Sequence, residues 1–294
     1  MLKQLTKSKR VLILIIIFAV LFLSYFGYTK IYQKRNILTL PSTLHEISGI
    51  SYFDKNIIIC EQDELGDIFF YDLKKKEIIN RINVASPGDL EDITLANNDF
   101  YLLRSDGLLY ELTNYPSKPT TTLYNLDLGA NNSEGLTFDR KINSLLISTK
   151  SNVGNTKTEK KSNKDERWIY AFDLATKKLK ENPFLIVNVN DIISFMQNSS
   201  RDIATNNKGK IKIHFRPSGL EVNPESGNIY ILSSIDNLLA IFDRQGKVLS
   251  IEQLDPDIFN QPEGITFDSN GDLLISNEGG KGEPSLVRLK PKEF

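Results

Sequence analysis

One short phrase recurs along this chain and limits what the chain can fold into. It is an acidic or hydroxyl residue followed by a small residue and then an aliphatic one. It occurs as Ile47-Ser48-Gly49-Ile50, Leu90-Glu91-Asp92-Ile93, Ser133-Glu134-Gly135-Leu136, Pro217-Ser218-Gly219-Leu220 and Pro262-Glu263-Gly264-Ile265. (Asp92 takes the small position in the second.) Counted from Ser48, the steps between these anchors are 43, 43, 84 and 45 residues. A period of about 40–45 residues with several short strands inside it is what a β-propeller blade requires.

The strands are visible between the anchors as apolar runs bounded by turn residues. The first unit offers 57–60, 68–73 and 78–84, the second 100–103, 108–112 and 121–126, and the fourth 229–232, 238–243 and 248–251. Asp106-Gly107, Gly227-Asn228, Gly246-Lys247 and Asn270-Gly271 supply residues tolerant of positive φ at the turns between them. The 84-residue step admits two readings: a sixth, degenerate blade, or one blade carrying long loops at about 150–167 and 190–210. No anchor phrase occurs inside it, which favours five blades over six. The segment 150–167 is rich in Lys, Asn and Ser and reads as a solvated loop, with an anionic partner as the sharper alternative; 191–196 reads as one or two helical turns. The last unit offers three strands only. The spare strand 36–40, ahead of the first anchor, is expected to complete the fifth blade from outside, because an open ring leaves sheet edges unpaired.

The N-terminus differs from the rest. A basic tail, residues 1–10, precedes residues 11–28, which carry no charge. At the helical rise that run spans roughly 27 Å, enough for a bilayer core. No small-residue cleavage site and no lipidation cysteine follow it. An uncleaved transmembrane signal anchor is therefore favoured over a removed signal peptide. The expected order is tail, anchor, linker 29–35 and an extracytoplasmic propeller over 36–294, held in the inner membrane by one span. A net charge of −1 gives no reason to expect a nucleic-acid partner. The single cysteine, Cys60, ends an apolar run and reads as a buried, inert thiol.

The anchors Glu46-Ile47-Ser48-Gly49-Ile50, Ser133-Glu134-Gly135-Leu136, Pro217-Ser218-Gly219-Leu220-Glu221-Val222 and Gln261-Pro262-Glu263-Gly264-Ile265, with the block from Gly227 to Gly246, resemble the SdiA-regulated family of bacterial β-propellers. The likeness runs over about 40–290. It implies a five-bladed propeller behind an N-terminal membrane anchor, a calcium site, and distant kinship with NHL-repeat and strictosidine-synthase-like propellers.

The innermost strand of each blade lines a central channel, so equivalent anchor residues form a ring. Glu91, Glu134 and Glu263 share one place in that ring, Ser48 and Ser218 complete it, and Glu46 lies two residues before Ser48 on the same face. Carboxylates converging there need a positive partner. Calcium suits them, because it takes six to eight oxygens in irregular geometry. Zinc would want His or Cys, which are scarce. The alternatives are a structural ring, with the glutamates capping turns or pairing with Arg104, Lys150 or Arg216, and a catalytic carboxylate set. A second acidic group, Glu61, Asp63, Glu64 and Glu278, ends the next strand of the first and fifth units and reads as the channel mouth or as solvated loop. His45 and His214 read as hydrogen-bonding residues. Ser48 and Ser218 lack the strand–turn–helix setting of a nucleophile elbow, which excludes acyl-enzyme chemistry. Three functions remain: a calcium-binding module for an envelope protein or small-molecule ligand, a metal-dependent hydrolase of the lactonase or phosphoric-ester type, and a calcium-stabilised shell whose loops contact envelope proteins.

Overall fold

The computed structural model describes residues 15–19, 22, 37–129, 132–150, 153–154, 156–199 and 211–291. The chain divides into two units, 1–37 and 38–294. In the first, residues 15–19 and 22 are helical and exposed. Among the described residues no helix is long and apolar enough to cross a membrane. The span expected over 11–28 falls mostly outside the described residues.

The second unit forms five antiparallel sheets, one per blade. After the short strand β1 (Ile37–Thr39), the first blade is β2 (Ile47–Asp54), β3 (Ile57–Gln62), β4 (Asp67–Asp72) and β5 (Glu77–Asn83). The second is β6 (Leu90–Ala96), β7 (Asp99–Arg104), β8 (Leu108–Thr113) and β9 (Thr120–Asn125). The third begins with β10 (Ser133–Asp139) and β11 (Ser144–Thr149). Helix α1 (Lys157–Ser162) follows, then β12 (Glu166–Asp173), β13 (Lys178–Leu179), β14 (Leu185–Asn188) and helix α2 (Val189–Asn198). The fourth is β15 (Gly219–Val222), β16 (Ile229–Ser233), β17 (Leu238–Phe242) and β18 (Val248–Gln253). The fifth is β19 (Pro262–Phe267), β20 (Leu273–Asn277) and β21 (Ser285–Leu289), and β1 lies beside β21 as its outer strand. Closure is thus made as expected, and the Leu40 N–H donates to the Pro284 carbonyl at 2.8 Å just past β1.

The long step is one blade with insertions. Its first insertion is more ordered than the composition suggests. Thr156 and Glu159 form a reciprocal capping box that starts α1, and β12 begins at Glu166. The Thr-x-x-Glu signal was present in the polar run. Helix α2 is also longer than the segment 191–196. It buries Val189, Ile192 and Met196 against Phe215, Leu220, Ile229 and Ile251 of the fourth blade.

Apolar layers between neighbouring blades make the core. Ile59, Phe70, Ile93 and Phe100 fill the layer between the first and second blades, and Leu103, Leu136, Leu145 and Phe172 that between the second and third. Leu40, Ile47, Phe69, Leu274 and Leu286 join the first blade to the fifth. Cys60 lies in this last layer, fully buried, and burial raises its thiol pKa, so it is the inert thiol expected.

The five inner strands pack around one axis, each beside the next and β19 beside β2. The approach is closest at the anchor glycines. A Cβ on Gly219 would stand 2.1 Å from the Glu263 carbonyl oxygen, and one on Gly264 2.6 Å from the Ser48 carbonyl oxygen. Gly219→Ala is expected to destabilise the propeller by about 1–3 kcal/mol through overpacking against backbone. Gly282→Ala, where the nearest atom would be 3.6 Å away, should stay within about 0.5 kcal/mol. Urea unfolding of the two variants checks this.

Candidate functional site

The register shifts by one residue at the anchor in the first, second, third and fifth blades. Such a bulge bends the strand and frees a backbone N–H. A side chain from the second strand of the same blade accepts that N–H. Ser148 Oγ accepts from Gly135 N at 3.0 Å, and Ser276 Oγ accepts from Gly264 N at 2.9 Å. In the first blade the acceptor is Glu61, whose Oε1 takes Gly49 N at 2.5 Å. A carboxylate therefore stands where serine suffices in two other blades. In the second blade Asp92 occupies the glycine place. Its carboxylate packs over Gly49 and accepts from Ile93 N at 2.8 Å and Leu136 N at 2.6 Å, joining the second blade to the third.

The sequence-predicted acids fall into two groups. Glu91, Glu134 and Glu263 come together from three blades around Lys150, which follows β11. Lys150 Nζ lies 2.5 Å from Glu134 Oε1, and its charge also acts on Glu91 and Glu263. Glu134 is buried; burial raises its pKa, opposed by Lys150 and by a hydrogen bond with Glu91. Glu91 is pushed up by burial and then by Glu134, the carboxyl it hydrogen-bonds. Burial, then Glu278 and Glu134, push Glu263 up to about 8. Of the three cations weighed as partners, Lys150 serves this group. Arg104 pairs with Asp106 at 2.7 Å instead, and Arg216 acts on Arg167.

The second group is Glu46, Glu61, Asp63 and Glu278, at the junction of the first and fifth blades. Burial raises Glu61 to about 8, opposed by the Gly49 bond and reinforced by Asp63 and Glu278. Burial, then Glu46, Glu64 and Asp89, bring Asp63 to about 6, and burial, then Glu46 and Asp63, bring Glu278 to about 7. Glu61 is 0% exposed, and neither its Oε2 nor Asp63 Oδ1 has a hydrogen-bond partner. Glu278 is held by Gln261, and Glu46 by His45 Nδ1 at 2.7 Å. Glu64 is exposed; its charge raises Asp63, and its backbone N–H hydrogen-bonds the Asp63 carboxylate. Among the described residues, no three Asp, Glu, His or Cys side chains are gathered as a ready-made metal site.

The remaining predictions concern polar turns. His45 is a hydrogen-bonding residue, and the His214 backbone N–H donates to Asp236. Ser218 Oγ donates to the Pro262 carbonyl at 2.9 Å and accepts from Ser234 N, so it joins two blades. Sequence reasoning did not single out Asp92, or the ring three residues beyond the anchors: Ser51, Thr94, Thr137, Glu221 and Thr266. A strict two-residue alternation puts i and i+3 on opposite faces; in the four bulged blades the extra residue turns them to the same side, and in the fourth the strand begins only after the anchor serine. Repeat alignment three positions past each anchor was the available signal.

These raised carboxyls make a signed prediction. In the folded chain they hold protons that the unfolded chain releases above about pH 4.5. Their contribution is fully present below that pH and is lost as the pH rises from about 6, where Asp63 titrates, through about 8 for Glu61 and Glu263 to about 10 for Glu91. Lys150→Met removes the one ammonium in the Glu91–Glu134–Glu263 group. It is expected to cost about 2 kcal/mol at pH 8, the pair being half-buried, and less at pH 5, where Glu263 is protonated. Urea midpoints at the two pH values test both statements.

No curated protein matches the chain in sequence. Among solved structures, a glutaminyl cyclase from Myxococcus xanthus superposes with a TM-score of 0.54 at 13% identity, covering 86% of this chain and 93% of that one. Virginiamycin B lyase from Staphylococcus aureus gives 0.46 at 13% identity, covering 88% and 71%. A chain of a nidogen/laminin complex gives 0.48 at 12% identity, covering 84% and 81%. At these identities the likeness is one of fold. The family model described as SdiA-regulated matches residues 171–284, from the third blade to the fifth.

Proposed function

We propose that this chain is a membrane-anchored, extracytoplasmic propeller that acts as a binding module and takes calcium at the acidic mouth of its channel. One observation carries the reading. Glu61 replaces the serine used at the equivalent bulge in the third and fifth blades, and it leaves a fully buried carboxylate oxygen without a partner. An unpaired buried charge costs several kcal/mol unless it is neutralised. Asp63 adds a second unpartnered oxygen, and Glu46 and Glu278 are near enough to raise its pKa or Glu61's. An all-oxygen donor set suits calcium above zinc. Binding would draw the partly exposed Asp63, Glu46 and Glu278 towards Glu61. Glu91, Glu134 and Glu263 are served by Lys150 and are left out of the set. When bound, the ion would take the place of the protons that these raised carboxyls otherwise hold. The anchor reading rests on the uncharged run 11–28 behind its basic tail.

Thermal unfolding of the full chain in detergent tests the proposal. Millimolar calcium, against chelator, is expected to raise the midpoint by about 5–10 °C if the ion is at 100 times its Kd. Magnesium should do less. Glu61→Ser keeps the acceptor for Gly49 and removes the spare oxygen; it should fold and lose the calcium response. An unchanged midpoint in the parent chain would sink the reading.

A further inference from the structure

The other end of the channel holds a pocket of different chemistry. Each inner strand runs from its anchor to a hairpin turn, and the five residues three past the anchors meet there: Ser51, Thr94, Thr137, Glu221 and Thr266. They line a cavity of about 200 Å³. That is smaller than a drug-sized site and suits a ligand of few atoms. Four of the five blades contribute a hydroxyl; the fourth blade alone contributes a carboxylate. The hydroxyls reach across blades. Ser51 Oγ accepts from Leu95 N at 3.3 Å, and Thr266 Oγ1 accepts from Tyr52 N at 3.2 Å. Thr137 Oγ1 donates to Glu221 Oε1 at 2.5 Å, Val222 N donates to the same oxygen at 2.8 Å, and Thr266 also hydrogen-bonds Glu221.

Glu221 is thus fixed from three blades on the wall of a cavity, and it forms no ion pair among the described residues. Burial, opposed by these hydrogen bonds, raises it to about 7. The charges around it are otherwise accounted for. Asp92 is bound to two backbone N–H groups, and Asp139 pairs with Arg244 at 2.6 Å. Two cations, Arg140 and Lys141, line the cavity from the β10–β11 turn. Lys141 Nζ rests on the Ser226 carbonyl at 3.3 Å, across the cavity's rim from β10. The pocket therefore has a carboxylate ringed by hydroxyls on its floor and two basic side chains at its rim.

We propose that this pocket binds a small zwitterion, an amino-carboxylate, with its ammonium on Glu221 and the Thr137 and Thr266 hydroxyls and its carboxylate at Arg140 and Lys141. The ammonium supplies the charge that Glu221 lacks. Its hydrogens need acceptors, and hydroxyls and a carboxylate provide them. The rim cations would repel a simple amine and hold the anionic end of a zwitterion. This site is separate from the acidic mouth and does not depend on calcium.

Calorimetric titration of the full chain with ω-amino acids from glycine to 6-aminohexanoate tests it, with propylamine and propionate as singly charged controls. At least one amino acid should bind at least tenfold more tightly than either control. Glu221→Gln, in which the amide can still bond both threonines, should weaken that binding at least tenfold while circular dichroism stays unchanged. Arg140→Ala, an exposed substitution, should weaken it about threefold or more and leave the melting temperature alone. Saturable binding by none of the amino acids overturns the proposal. So does equal binding of propylamine or propionate, or undiminished binding by the Glu221→Gln variant.

Discussion

Everything in this molecule follows from how closely five strands are packed about one axis. At the anchors the backbones approach until a Cβ on Gly49, Gly135, Gly219 or Gly264 would overlap a neighbouring blade. A carboxylate beside such a glycine has nowhere to go but the axis. Strands from separate blades therefore bring Glu91, Glu134 and Glu263 within range of one another, although 43 residues of chain separate the first two. The same tightness produces the bulges, and the bulges free N–H groups that a second-strand side chain must accept. Ser148, Ser276 and Glu61 are three answers to one backbone problem.

Charge is distributed unevenly as a result. Around Glu134 the fold supplies its own cation, Lys150, and one proton shared with Glu91. Around Glu61 it supplies no ion pair, and two buried oxygens lack partners. At the far end of the channel a single carboxylate, Glu221, is held by hydroxyls and one backbone N–H. One repeat has thus been differentiated into three electrostatic environments along about 10 Å of strand. They differ only in which blade carries an acid and which a hydroxyl.

Much of this was legible in the residues. The anchor spacing, the missing sixth anchor and the spare strand 36–40 led to five blades closed by β1. Local turn chemistry and apolar runs are short-range signals, and a repeat multiplies them. The acidic residues were visible as candidates too. Their partition was not. Lys150 sits in a run that reads as polar loop, and only the end of β11 places its ammonium beside Glu134. Helix α1 was likewise hidden in that run, although its Thr156–Glu159 capping pair was there to be read. Glu221 was passed over because the repeat was compared only at its anchors.

By itself the sequence determined the blade number, the order of strands, the closing strand and the list of acids able to meet in a channel. These depend on local pattern and on the period. The tertiary structure alone decided which acids share a cation, which oxygens are left without one, and that the fourth blade's Glu221 faces a cavity. The physical reason is that these are relations between blades. They are set by bulges, by backbone approach at glycines and by hydrogen bonds between residues 44 to 84 apart, such as the Leu136 backbone N–H to Asp92 and Thr137 to Glu221.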